Sequence, residues 1–151
     1  MRIALGSDHA GYDLKTTLKS SLITWGYDVV DLGTDSALEP VDYPDFGAAV
    51  GRAVVAGDAE LGVACCGSGN GIAMAANKVP GVRAAVAHDE TTGRLAREHN
   101  DANVLCLGGR VTGTLVAVDA LAAWLNAVAE PRHGARIEKL RELDIALASK
   151  E

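Results

Sequence analysis

Leu61-Gly62-Val63-Ala64-Cys65-Cys66-Gly67-Ser68-Gly69-Asn70-Gly71-Ile72-Ala73 passes from an unbroken apolar run, through three alternate glycines, into residues of helical character. A short apolar run that feeds a glycine turn and then a helix is half of a βαβ unit, its strand covered on both faces. The same alternation extends outward in both directions. Strands are expected at Arg2–Gly6, Asp28–Leu32, Leu61–Cys65, Val82–Ala87 and Val104–Leu107. Helices are expected at Asp13–Trp25, Asp45–Ala56, Gly71–Lys78, Asp89–Glu98, Thr112–Val128 and Ala135–Ala148. Leu14, Leu18 and Leu22 recur at four-residue spacing in the first helix, and Ile137, Leu140 and Ile145 share a stripe of the last. The pattern predicts a single domain over residues 1–151. Its class is α/β: a three-layer α/β/α sandwich, Rossmann-like, around a five-stranded parallel sheet, plus a C-terminal helix. The expected strand order is 2-1-3-4-5, which puts the switch point between the first and third strands. Gly33–Pro44 is the one extended irregular segment and is expected to be a functional loop.

Composition narrows the function classes. With 48% hydrophobic and 23% charged residues, the chain can bury a core, which excludes disorder and fibres. A net charge of −6 excludes a broad electrostatic grip on nucleic acid or on an anionic membrane. No apolar run approaches the ~20 residues of a membrane span, and Met1-Arg2-Ile3-Ala4-Leu5 lacks a signal-peptide pattern, so a soluble cytoplasmic protein is expected. Three cysteines, two of them adjacent, suit reduced thiols rather than a disulfide framework, and no zinc spacing appears.

Ligands of open α/β sheets sit beyond the carboxyl ends of the strands. The residues that fall there are Ser7-Asp8-His9, the loop from Cys66 to Gly71, His88, and Gly109-Arg110. The alternate glycines of the loop present successive N–H groups to an anion, although they also suit a tight turn with no ligand. A thiol beside a helix N-terminus has its thiolate favoured, which suits Cys66 to act as nucleophile or base. Cys65 points to the opposite side of the strand and reads as a buried thiol, as does Cys106. Asp8 can meet a ligand or cap the helix that follows it, and Asp89 reads as a cap. His99-Asn100 ends a helix, with Asn100 placed to be its C-cap and His99 at the surface. Arg132 and Arg136, four apart, form with Arg110 a phosphate clamp or belong to a solvated face.

Taken together, Gly6-Ser7-Asp8-His9-Ala10-Gly11, Asp42-Tyr43-Pro44, Cys66-Gly67-Ser68-Gly69-Asn70-Gly71, Ala75-Ala76-Asn77-Lys78, Arg97-Glu98-His99-Asn100-Asp101 and Gly108-Gly109-Arg110 resemble, in this order, the type B ribose-5-phosphate isomerases. The wider family also acts on allose 6-phosphate and galactose 6-phosphate. The resemblance implies interconversion of ribose 5-phosphate and ribulose 5-phosphate in the pentose phosphate pathway. It makes Cys66 the base that moves a proton between C1 and C2, and His99 the group that assists furanose ring opening. It has Asp8, His9 and Asn100 contact the substrate. It also implies that Gly67, Ser68, Gly69, Asn70 and Gly71 form the anion hole, with Ser68 where relatives carry Ser or Thr, and that Arg110, Arg132 and Arg136 hold the phosphate. A glutamate branch of the family carries its base further into the helix; Ile72–Met74 offers no carboxylate there, so this chain follows the cysteine branch. The Asn70-Gly71 pair looks more like the glutamate branch.

The chemistry is consistent with the residues themselves. An enediolate route needs a base that returns its proton to the neighbouring carbon, and donors for the developing oxygen charge. Hydride-shifting isomerases rely instead on a divalent metal held by several carboxylates and histidines, and no such cluster is evident; no metal and no other cofactor are expected. His99 ends a helix returning from the fourth strand, so it approaches the sheet edge opposite to Cys66. A homodimer with sites at its interface, or a dimer of dimers, would bring them together, with Arg132 and Arg136 reaching across. The alternatives are a six-carbon sugar-phosphate isomerase, a flavodoxin-like nucleotide-binding module, which the scarcity of aromatic residues opposes, and a thiol redox protein, which the missing CxxC spacing opposes.

Overall fold

Five parallel strands and six α-helices alternate along residues 1–148, the part of the chain that this computed structural model describes. The strands are β1 (Arg2–Ser7), β2 (Asp28–Asp31), β3 (Leu61–Cys66), β4 (Ala84–Val86) and β5 (Val104–Gly108). The helices are α1 (Tyr12–Thr24), α2 (Tyr43–Ala56), α3 (Asn70–Ala76), α4 (Glu90–Asn100), α5 (Thr114–Asn126) and α6 (Gly134–Ala148), with a 3-10 turn at Pro131–His133 before the last. Alternation along the strands divides the core. Ile3, Leu5, Leu61, Val63, Cys65, Leu105 and Leu107 face α1, α4 and α5, where Trp124 is fully buried and donates its indole N–H to the Ala102 carbonyl at 3.1 Å. Ala4, Ala64, Cys66, Val104 and Cys106 face α2 and α3. The three-layer sandwich follows directly from this two-residue period.

The sheet order is β2-β1-β3-β5-β4, which corrects the expected 2-1-3-4-5. Burial explains the exchange. Val104–Gly108 is buried at every position and so belongs inside the sheet, whereas β4 has three half-buried residues and suits an edge. The switch point between β1 and β3 is unchanged. The exchange sets Gly109-Arg110 beside the glycine loop and moves His88 to the periphery, where it is exposed.

Local chemistry sets the helix ends. α2 starts two residues earlier than expected, with Pro44 in its first turn, where a missing N–H costs nothing. Asp89 caps α4 through a reciprocal box with Thr92, accepting its N–H at 2.7 Å. Asn100 does not cap α4 at its C-terminus: it is the last helical residue, and Asp101 takes the left-handed conformation at φ 46°. Among the described side chains of α6 only Ile137 is buried; Leu140 and Ile145 are 44% and 69% exposed, so the expected apolar stripe packs inward at Ile137 but not at these two. The Asp144 carboxylate accepts the Gly81 N–H at 2.8 Å and ties this helix to the body.

Candidate active site

β1, β3 and β5 end side by side, and the loops beyond them enclose a hollow of about 360 Å³ lined by Asp8, His9, Tyr43, Cys66, Gly67, Ser68, Gly71 and Arg110, with Ala10 and Val111. Cys66 and Cys65 leave β3 on opposite faces. Cys65 lies in the core against α1 and α5, where burial, with the neighbouring Cys66 next in importance, pushes its thiol far above the ordinary range. Burial does the same to Cys106. Cys66 is 4% exposed and opens on the hollow, its sulfur accepting the Gly69 N–H at 3.1 Å.

The loop can fold back over this sulfur because Gly69 adopts φ +84°, and a Cβ there would lie 3.1–3.3 Å from Val86 and the Leu107–Gly108 backbone. Gly11 is fixed by contact alone: a Cβ would meet the Cys65–Cys66 peptide at 2.4–2.7 Å, so the start of α1 packs directly on the end of β3. The Gly109 N–H donates to the Cys66 carbonyl at 2.8 Å and the Arg110 N–H to the Gly67 carbonyl at 2.9 Å, clamping the β5 loop onto the cysteine loop. The Arg110 side chain runs along Gly67, where a Cβ would meet its Cδ at 3.4 Å.

Asp8 stands at the start of α1 and at the edge of the hollow. Its Oδ1 accepts the Gly11 N–H at 3.0 Å, shaping the entry to α1, while the residue lines the hollow. His9 Nδ1 accepts the Val41 N–H at 3.2 Å, so a neutral His9 carries its proton on Nε2 and can donate it to a ligand. Val41 belongs to the irregular segment, whose start is anchored by Lys15. That lysine is 1% exposed, and its Nζ donates to Asp31 at 2.6 Å and to the Thr34 carbonyl at 2.7 Å. Burial alone would raise the Asp31 carboxyl, but bonds from Lys15, the Gly33 N–H and Lys19 outweigh it and hold it low.

Four residues expected at the site stand elsewhere in the single chain. His99 packs against His133, ring centroids 4.5 Å apart. Asn100 is exposed and lines a separate hollow of about 390 Å³ between β4 and α6. Arg132 Nε donates to Glu130 at 2.5 Å, and this bond holds the Glu130 carboxyl below the ordinary range. Arg136 Nη1 lies 3.0 Å from His133 Nδ1. Burial, followed by the Arg132 charge, holds His133 below the ordinary imidazole range. Two residues here carry little signal in the sequence. Tyr43 stands over Gly71, where a Cβ would lie 2.7 Å from its ring, and only its place in Asp42-Tyr43-Pro44 hinted at this. His133 was visible only as the neighbour of Arg132.

A sulfur, an imidazole donor, a carboxylate, a guanidinium and a glycine loop around one small hollow can hold an anionic polyol and move a proton on it. The ribose/galactose isomerase profile matches residues 3–140. The ribose-5-phosphate isomerase B of Mycolicibacterium paratuberculosis is 44% identical over 149 residues, covering 95% of this chain and 92% of its own. The Clostridium thermocellum ribose-5-phosphate isomerase B structure superposes with a TM-score of 0.95 at 47% identity, covering 97% of this chain and 99% of its own. The Mycoplasma genitalium ribose-5-phosphate isomerase B, solved with bound ribulose-5-phosphate, gives a TM-score of 0.90 at 41% identity, with 95% of each chain covered. With matches that span nearly its whole length, the chain belongs to the ribose/galactose isomerase family.

Proposed function

We propose that the chain interconverts ribose 5-phosphate and ribulose 5-phosphate through an enediolate, with Cys66 as the base. The observation that carries this reading is the Cys66 sulfur, opening on the hollow and bonded at 3.1 Å to an N–H of its own glycine loop. In the aldose-to-ketose direction the thiolate takes the C2 proton, the electron pair moves into the C1–C2 bond, and the C1 carbonyl oxygen gains negative charge. N–H groups of residues 67–71 meet that charge. A proton passes between the two oxygens, and the proton on sulfur returns to C1. Asp8 and the His9 Nε2–H hold substrate hydroxyls, and Arg110 holds the phosphate.

Ribose 5-phosphate is a closed furanose in water and must open before this step. His99 assists that opening, and Asn100, Arg132 and Arg136 complete the binding set. None of these four lines the hollow of their own chain. We therefore assign them to the site of a second copy, in a homodimer or dimer of dimers working in the cytoplasm. The uncovered apolar residues Leu140, Leu143 and Ile145 of α6 support a further contact of that kind.

A six-carbon sugar phosphate requires only a deeper pocket, so the substrate class is tested by assaying ribose 5-phosphate, allose 6-phosphate and galactose 6-phosphate side by side. The five-carbon substrate is expected to give the highest kcat/KM by about tenfold or more. Enediolate chemistry on a thiolate needs no divalent ion, so the rate is expected to survive exhaustive chelation. A rate lost to chelation and restored by a divalent cation would overturn the mechanism.

A further inference from the structure

Among the described residues outside the hollow, ligating side chains gather where α4 ends against the 3-10 turn. One donor atom each from His99, Glu130 and His133 lies within 4.8 Å of the other two. The cluster is built on fixed backbone. The Glu130 N–H donates to the Glu98 carbonyl at 2.8 Å, tying the turn to the residue before His99. The His133 N–H returns to the Glu130 carbonyl at 3.1 Å, so carboxylate and imidazole leave the turn three residues apart. His133 is 7% exposed, yet its Nε2 has no hydrogen-bond partner; the Glu130 carboxylate is 3.6 Å from it. A buried ring nitrogen without a partner, facing a carboxylate and a second imidazole, needs an explanation.

We propose that His99, Glu130 and His133 form a binding site for a late first-row divalent cation, zinc above all, and that its occupancy inhibits the enzyme by taking the ring nitrogen of His99. Two imidazoles and one carboxylate are a zinc ligand set that leaves a fourth position open. The site stands on geometry, whereas the inhibition rests on the assignment of His99 to ring opening. Two guanidiniums oppose a cation here: Arg132 on Glu130 and Arg136 on His133. Both are exposed and can turn into water; the Glu130 Oε2 that faces His133 is the oxygen Arg132 holds, so metal entry displaces Arg132 from it. With Arg136 donating to Nδ1, the neutral His133 ring carries its proton on Nε2. Metal entry moves the ring's single proton to Nδ1 through solvent, frees the Nε2 lone pair and displaces Arg136. The ring's charge does not change.

The test uses the full chain, stripped by a chelator and kept in phosphate-free buffer. Zinc is titrated by calorimetry, and cobalt(II) by its visible spectrum. One cation per chain is expected, with cobalt bands of nitrogen and oxygen coordination and no thiolate charge-transfer band. Conversion of ribose 5-phosphate should fall as zinc binds and recover when a chelator is added. Glu130→Gln keeps a metal-free rate close to the parent's and weakens both zinc binding and inhibition by about tenfold or more. His133→Gln weakens zinc binding likewise, and Cys66→Ala binds zinc as the parent does. No binding, or binding lost in Cys66→Ala and kept in Glu130→Gln, overturns the site. Binding at the cluster that slows ribose 5-phosphate conversion and ribulose 5-phosphate proton exchange equally leaves the site standing but overturns the inhibition through ring opening, and with it the role given to His99.

Discussion

Replacing Cys66 by alanine is expected to lower isomerisation by about 10³-fold or more, the scale of losing a general base that is also the sole acceptor of the migrating proton. Binding of a non-reacting five-carbon sugar phosphate should change little, because Asp8, His9 and Arg110 stay in place around the hollow. The adjacent Cys65→Ala is the control. Cys65 is fully buried on the opposite face of β3, so its loss should leave kcat near the parent value and cost stability of about 1 kcal/mol. Steady-state kinetics and thermal unfolding of both variants check this pair. An active Cys66→Ala beside an inactive Cys65→Ala would refute both the strand-parity argument and the assigned base.

Mixed subunits give the second large effect. Cys66→Ala and His99→Ala homo-oligomers should each convert ribose 5-phosphate poorly. If each site takes Cys66 from one chain and His99 from another, a mixed dimer collects both defects in one site and leaves the other intact. Co-expression with two different tags, followed by tandem purification, should therefore recover about half of the parent rate per dimer. The separation of the two residues motivates this, since His99 packs on His133 and does not line the hollow that holds Cys66. A purified mixed dimer without activity would show that both residues serve one site from the same chain.

The legible parts of the structure were those fixed by short-range periods. Two-residue alternation separated Cys65 from Cys66, and glycine spacing marked the loop whose Gly69 takes φ +84°. The order of β4 and β5 was not legible from chain order, because parallel crossovers leave open which neighbour the chain returns to. The buried run of Val104–Gly108, against three half-buried residues in β4, decides it. The burial of Lys15 has no local signal: Asp31 and the Thr34 carbonyl draw it into the interior, and both partners are distant in sequence. The contact between His99 and His133 joins α4 to the turn before α6, and no local pattern predicts which helix end meets which turn. Leu140 and Ile145 continue the apolar period of Ile137 yet stay 44% and 69% exposed.

The division of labour between the thiol and His99 is tested most directly by hydrogen–deuterium exchange at C1 of ribulose 5-phosphate in heavy water. That sugar cannot close a five-membered ring through its phosphorylated C5 oxygen, so exchange reports enediolate formation without ring opening. Cys66→Ala should lose exchange and isomerisation together. His99→Ala should exchange C1 near the parent rate while its conversion of ribose 5-phosphate collapses, and the open-chain aldehyde it forms can leave and cyclise in solution. Exchange that persists in Cys66→Ala, or that falls in His99→Ala as far as ribose 5-phosphate conversion does, would contradict the account.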